Sequence, residues 1–257
     1  MKLDYNELLE MVSEMGFRLM FSGAEIYRVE ESISRLLQAY GAERGEVFAI
    51  PNCIIVSLTS PMGEPMTQIR RMPNHGTDIY LLERYNDLCR RLCRETPPFE
   101  VALDSMKEIE RTHKVYSMPT QLAAHFLGCG MFSLFYGGSV WDGLCGGLCG
   151  MVICLCLALT SKLGANLFFK TIAGAAASAF VALALTAVGV GQNSDSIIIG
   201  ALMALVPGIA FTNAMRDIMA GDMVAGISKA AEALLIGAAI ALGTALALGL
   251  IRPLMGG

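Results

Sequence analysis

The sequence predicts a membrane protein: an all-α five-helix transmembrane domain preceded by a small cytoplasmic α+β domain. Three observations carry this reading. Charge is split along the 257 residues, with 32 Asp, Glu, Lys and Arg among the first 120 and only 10 among the remaining 137. The first density is ordinary for a water-soluble domain and the second is that of a membrane-spanning region. The apolar part also divides into five runs near the length needed to cross lipid, about 20 residues. In the polar part, a stretch of period-two apolar spacing sits between segments of helical period. These place a cytoplasmic α+β domain at 1–117 and a transmembrane domain at 118–257.

In the polar half, Asp4 to Met20 has helical spacing and breaks at Ser22-Gly23. Ser22-x-x-Glu25 reads as a capping box for a second helix, with Ile26, Val29, Ile33, Leu36, Leu37 and Tyr40 on one face and Gly41 past its end. Glu46–Ile50 and Ile54–Thr59 read as strands. Ser60-Pro61-Met62-Gly63-Glu64 reads as a turn, and Met66–Arg71 as a returning strand. Asp78 opens a helix to about Arg94, Pro97-Pro98 breaks it, and a further helix runs to about Lys114. Asp78, Glu83 and Asp87 could be called paired carboxylates, but with Arg84, Arg90 and Arg91 they describe a solvated helix face. Asn74-His75-Gly76 reads as a turn.

The five apolar runs are about 122–140, 143–163, 167–190, 197–219 and 223–251. Gly143, Gly146, Gly147 and Gly150 in the second, and Gly174 to Ser178 in the third, have the small-residue spacing that lets helix backbones approach. The fourth run carries Pro207-Gly208 in mid-span, where the missing donor loosens a helix. Beyond it come Asn213, Arg216, Asp217 and Asp222. Broken helices at membrane depth are tolerated where they line a cavity or are buried in protein. Charges persist there when paired or functional. The alternative is that the run ends near Asn213 and the charges cap it at the surface. Lys229 and Glu232 have ion-pair spacing, and His125 reads as an interfacial or hydrogen-bonded histidine.

Cationic residues near the expected membrane are Lys162, Lys170, Arg216 and Lys229 on one side and Arg252 on the other. By the positive-inside rule this puts the N-terminal domain in the cytoplasm and the C-terminus outside. The multi-pass chain is then expected in the plasma membrane. Trp141 suits an interfacial anchor. The acidic N-terminus does not read as a signal peptide. A net charge of −4 excludes a basic nucleic-acid-binding domain. The eight cysteines lack zinc-site spacing and His partners, so no metal and no cofactor is expected. No phosphate loop or nucleophile elbow is present, and the chain is not expected to be an enzyme.

The string Val206-Pro207-Gly208…Thr212-Asn213-Ala214-Met215-Arg216-Asp217…Gly221-Asp222…Gly226 resembles the signature of the threonine/serine exporter (ThrE) family. Gly23-Ala24…Arg28-Val29-Glu30…Gly41 and Tyr136-Gly137-Gly138…Trp141-Asp142 support it. Fused members of that family carry a second set of five spans. With one set, this chain resembles the larger, YjjP-like subunit of the split form. The resemblance implies a secondary exporter of small polar metabolites, threonine or serine first and succinate-type dicarboxylates as the alternative. It also implies a short second membrane subunit as partner, the lipid bilayer as medium, a small-molecule substrate, and room for homo-oligomers. In that reading Arg216 attracts a carboxylate, Asp217 or Asp222 carries a proton or meets an ammonium, Asn213 hydrogen-bonds substrate, and Pro207-Gly208 opens the helix. The proton motive force would drive it. A membrane-anchored sensor and a membrane-embedded peptidase or thiol oxidoreductase are the competing classes.

Overall fold

The computed structural model describes residues 4–42, 44–60, 63–72 and 76–251. Pro61 and Met62 of the expected turn, Asn74 and His75, and Arg252 lie outside them. The chain forms two compact units, one of Met1–Lys114 with Ile209–Ala230, the other of Val115–Gly208 with Ala231–Gly257.

The first unit is α+β. Helix α1 (Tyr5–Phe21) starts on Asp4, whose carboxylate accepts from the Asn6 and Glu7 amides, and α2 (Ile26–Ala39) follows. Strands β1 (Gly45–Ile50), β2 (Cys53–Thr59) and β3 (Pro65–Arg71) form an antiparallel meander with β2 in the middle. Ile54, Val56 and Leu58 alternate inward from β2 onto Leu8, Met15, Ile33 and Leu37, because period-two spacing puts every second side chain on one face. Helix α3 (Ile79–Glu95) is capped by Asp78, which accepts from the Leu81 amide, and α4 (Phe99–Thr112) follows Pro98. The residues suspected as paired carboxylates do separate work: Asp78 also meets His113 Nε2 at 2.9 Å, and Asp87 pairs with Arg90 at 3.5 Å.

The expected capping box is corrected. Ser22 does not open α2. It closes α1, its hydroxyl donating to the Arg18 carbonyl at 2.7 Å. Gly23, at φ 94°, and Ala24 then return their amides to Met20 and Leu19. This glycine C-cap uses up the Ser22 side chain and leaves α2 to begin at Ile26, where Glu25 makes no cap bond to its own helix.

The second unit is helical: α5 (Met118–Phe135), α6 (Val140–Lys162), α7 (Leu167–Ala187) and α8 (Ser194–Leu202). The α6 glycines pack where the spacing predicts close approach. A Cβ on Gly147 would lie 2.7 Å from the Phe126 ring, and one on Gly150 2.6 Å from Cys129 Sγ. Asp142, 1% exposed, ties two loops together. It caps α6 with Ser139 and accepts the Gln192 and Asn193 amides at 2.6 and 3.0 Å, which holds the start of α8 beside the start of α6.

Helix α9 (Gly208–Ala220) and the first two turns of α10 (Met223–Ile251) belong to the first unit, and the rest of α10 to the second. The fourth apolar run is therefore not one helix. Pro207 has no N–H to donate, α8 ends in tightened turns at Ala204 and Leu205, and helix resumes at Gly208. At 1.5 Å per residue the nine residues of α8 reach about 14 Å, half a bilayer core. Run one likewise ends early, at Phe135, because Tyr136-Gly137 turns the chain. Among the described residues α6, α7 and α10 are long and apolar enough to cross a membrane.

Gly147→Leu should lower the thermal midpoint of the detergent-solubilised protein by several degrees, the effect of roughly 1–3 kcal/mol of overpacking. Gly237→Ala, where a methyl meets open space, should leave it nearly unchanged.

Candidate functional site

The unfilled cap of α2 is the starting point. A helix N-terminus presents amides with no partner in its own helix, and its dipole favours an anion there. Asp217, from α9 and 191 residues away, supplies both. Its Oδ1 accepts the Ile26 amide at 2.9 Å, and its Oδ2 accepts Lys229 Nζ at 2.9 Å. Asp217 is fully buried and the Lys229 side chain is 12% exposed. A buried carboxylate is tolerated when paired and hydrogen-bonded, and here every oxygen has a partner.

The neighbouring contacts repeat the pattern. Asn213, one turn before Asp217 on α9, donates Nδ2 to the Gly23 carbonyl at 3.1 Å. Lys229 also donates to the Ala24 carbonyl at 3.3 Å. Arg216 NH1 meets Glu25 Oε1 at 2.7 Å, with Arg28 3.8 Å from the other Glu25 oxygen. The Gly23 turn thus exposes the Gly23 and Ala24 carbonyls and the Ile26 amide, each bonded by the 209–230 segment. Gly23 is irreplaceable on two grounds, its positive φ and the Gly76 carbonyl 2.8 Å from where a Cβ would be.

On the other side, Gly221 at φ 103° lets α9 turn into α10, and the Asp222 amide returns to the Asp217 carbonyl at 2.9 Å. Gly226 completes the elbow, because a Cβ there would sit 2.8 Å from the Ala214 carbonyl. The Asp222 carboxyl lies beside this group. Burial, and then the charge of Asp217, push its carboxyl above the usual range, against the pull of Lys229. Glu30 on α2 accepts the Ala49 amide at 2.7 Å, yet burial first, then the charges of Asp222 and Asp217, raise it too. Glu25 goes the other way. Burial acts to raise it, but its own backbone hydrogen bond, the Arg216 bond and the two arginine charges together hold it below the usual range.

Of the residues singled out in the sequence, Asn213, Arg216 and Asp217 come together, Asp222 lies beside them at the elbow, and Pro207 and Gly208 mark where α9 begins. Arg216 and Asp217 are engaged with Glu25, Ile26 and Lys229. Sequence spacing missed the other side of the cluster, Glu25 and Glu30, and the bond from Lys229 to Asp217. No local signal pointed to Glu25, because Ser22-x-x-Glu25 has capping-box spacing. Sequence spacing also passed over Asp142 as a structural centre. His125 Nδ1 lies 2.8 Å from the Gln121 carbonyl. Among the described residues no group of three His, Cys, Asp or Glu is placed to hold a metal ion.

Asp217→Asn should cost roughly 3–5 kcal/mol, the penalty of leaving buried Lys229 unpaired, read as faster amide exchange at Ile26 and over 209–220. Adding Lys229→Met should recover part of that loss. Arg216→Ala, at a side chain 56% exposed, should cost under about 1 kcal/mol. Protection of the same amides should also depend on pH. Glu30 and Asp222 have raised values, so their ionisation opposes the native arrangement; protection should rise as pH falls through their titrations. It should fall again at lower pH, when Glu25 gains a proton and releases Arg216. Glu30→Gln with Asp222→Asn should remove the first limb and keep the second.

The chain matches the family model described as "Putative threonine/serine exporter" (ThrE) over residues 10–251. It is also 24% identical, over 96% of its length, to a Mycobacterium tuberculosis protein described as "Probable threonine/serine exporter". It spans 46% of that relative, about half its length. No solved structure matches. With the match covering nearly the whole chain, including the Asn213–Asp217 cluster and the Gly23 turn it binds, the chain belongs to the threonine/serine exporter family.

Proposed function

We propose that this chain is one module of a secondary exporter of small polar metabolites, with threonine and serine as the first substrates to test. The observation that carries the reading is the interrupted fourth run. Asp142 holds the start of α8 level with the start of α6, and α8 then stops after about half a bilayer. Non-helical backbone at that depth suits a segment lining a polar path, and transporters place substrate sites at such breaks.

In this reading α8 and the 203–207 break make the fourth of five crossings, and α9 follows as part of the first unit. The first unit is cytoplasmic, and the end of α10 faces outside. Asn213, Arg216 and Asp217 are then not the substrate's own ligands. They fasten α9 to the Gly23–Ile26 turn, so that the cytoplasmic unit holds one end of the break. Glu30 and Asp222, which take up protons most readily in the cluster, are the groups through which a proton gradient acts on that attachment. The relative is about twice as long, and the partner to test is a short second membrane subunit.

The test is efflux from cells lacking their own exporters, loaded with threonine or with succinate, expressing this chain alone and with a candidate second module. Threonine efflux that collapses with the proton gradient is expected. Pro207→Ala with Gly208→Ala, which lets helix run through the break, should slow it on the order of tenfold at equal membrane content. Faster succinate efflux would move the substrate to dicarboxylates. No efflux of either solute, with both modules inserted, would overturn the exporter reading in favour of a membrane-anchored sensor.

A further inference from the structure

Helices α2 and α3 enclose a cleft of about 420 Å³ on the first unit, which adjoins the Asp217 cluster at Arg28. That volume is in the range of small-molecule sites. Its wall carries four arginines, Arg28, Arg35, Arg90 and Arg94, and a single acid, Glu31. The polar half of the chain carries a net charge of −4, so a cleft of this sign runs against its surroundings.

The arginines are only partly neutralised. Arg35 pairs with Glu31 at 2.5 Å, and Arg90 reaches Asp87 at 3.5 Å. Arg28 is 3.8 Å from a Glu25 that Arg216 already holds at 2.7 Å. The floor contains the thiols of Cys89 and Cys93, one helical turn apart on α3. The Cys89 thiol hydrogen-bonds to Cys93, and this bond, with the Arg35 charge, brings Cys93 down to about 7 against the effect of burial. The same bond, with burial, pushes the Cys89 thiol up, so Cys93 is the reactive thiol of the pair. No aromatic side chain lines it, so there is nothing on which a nucleobase would stack.

We propose that the α2–α3 cleft is a binding site for a compact polyanionic metabolite, a tricarboxylate or a phosphate ester, held by Arg35, Arg90 and Arg94 with Arg28 at its inner edge. Guanidinium groups match carboxylate and phosphate oxygens two at a time, which favours several converging arginines over lysines for this task. Arg28 shares Glu25 with Arg216, so an anion that engages Arg28 acts on the contact that fastens α9. The binding claim stands apart from the export reading and needs no transport to be tested.

Citrate and inorganic pyrophosphate are the probes, titrated by calorimetry into the detergent-solubilised full chain, with sodium chloride at matched ionic strength as control. Binding of at least one probe above the chloride control is expected, weakened tenfold or more by Arg35→Gln with Arg94→Gln. Arg35→Lys with Arg94→Lys, which keeps charge and fold, should fall between. Bound probe should also slow alkylation of Cys93, mapped by peptide mass, by threefold or more. No binding above chloride, equal binding by the glutamine variant, or unchanged Cys93 alkylation at saturating probe would each overturn the proposal. A preference for citrate over pyrophosphate, or the reverse, names the anion class.

Discussion

A single buried carboxylate organises the first unit. Asp217 occupies the N-terminus of α2, where the helix has four amides to satisfy and no side chain of its own positioned to help. It also neutralises Lys229 on the next helix. One group thus joins α2 to α9 and α10, across 191 residues of chain. Burying it is tolerable only because both oxygens are used and a cation lies within 3 Å. The positive φ of Gly23 is the matching constraint, because it turns the chain sharply enough to leave the Gly23 and Ala24 carbonyls and the Ile26 amide open to the incoming segment.

This arrangement changes how the polar residues of the fourth run are understood. Charges beyond a helix break invite a role as direct ligands. In the structure each of them bonds to protein: Arg216 to Glu25, Asp217 to Ile26 and Lys229, Asn213 to Gly23. The carboxyls left with unfavourable neighbours are Asp222 and Glu30, on either side of Asp217, and a cluster with more carboxylates than cations is where proton uptake is easiest.

The second unit achieves close packing by a different route. Its helices carry few groups able to bond one another, so they approach through missing side chains. Gly143, Gly147 and Gly150 on α6 meet the backbone and rings of α5, and Gly243 on α10 meets the backbone of α7. Asp142 is the exception, a carboxylate whose donors are loop amides. It fixes where α8 starts and, with the length of α8, where the helix is interrupted.

Local features of the sequence determined a great deal. The charge split, the three strands, the caps at Asp4 and Asp78, the glycine spacing of α6 and the break at Pro207-Gly208 all depend on residues a few positions apart, and the periods of strand and helix make such patterns readable. Tertiary structure decided the rest. Ser22 and Glu25 satisfy the capping-box spacing, yet Ser22 is taken by the Arg18 carbonyl and Glu25 by Arg216, and the true cap comes from position 217. Lys229 has Glu232 at ion-pair spacing, and its bond to Asp217, twelve residues away, follows from no such spacing. Apolar content assigned 209–230 to the membrane region, but its buried polar face belongs with the first unit. In each case several partners are locally acceptable, and the choice depends on which group is desolvated at the same point in space. That is settled by contacts across some 200 residues, which no local period records.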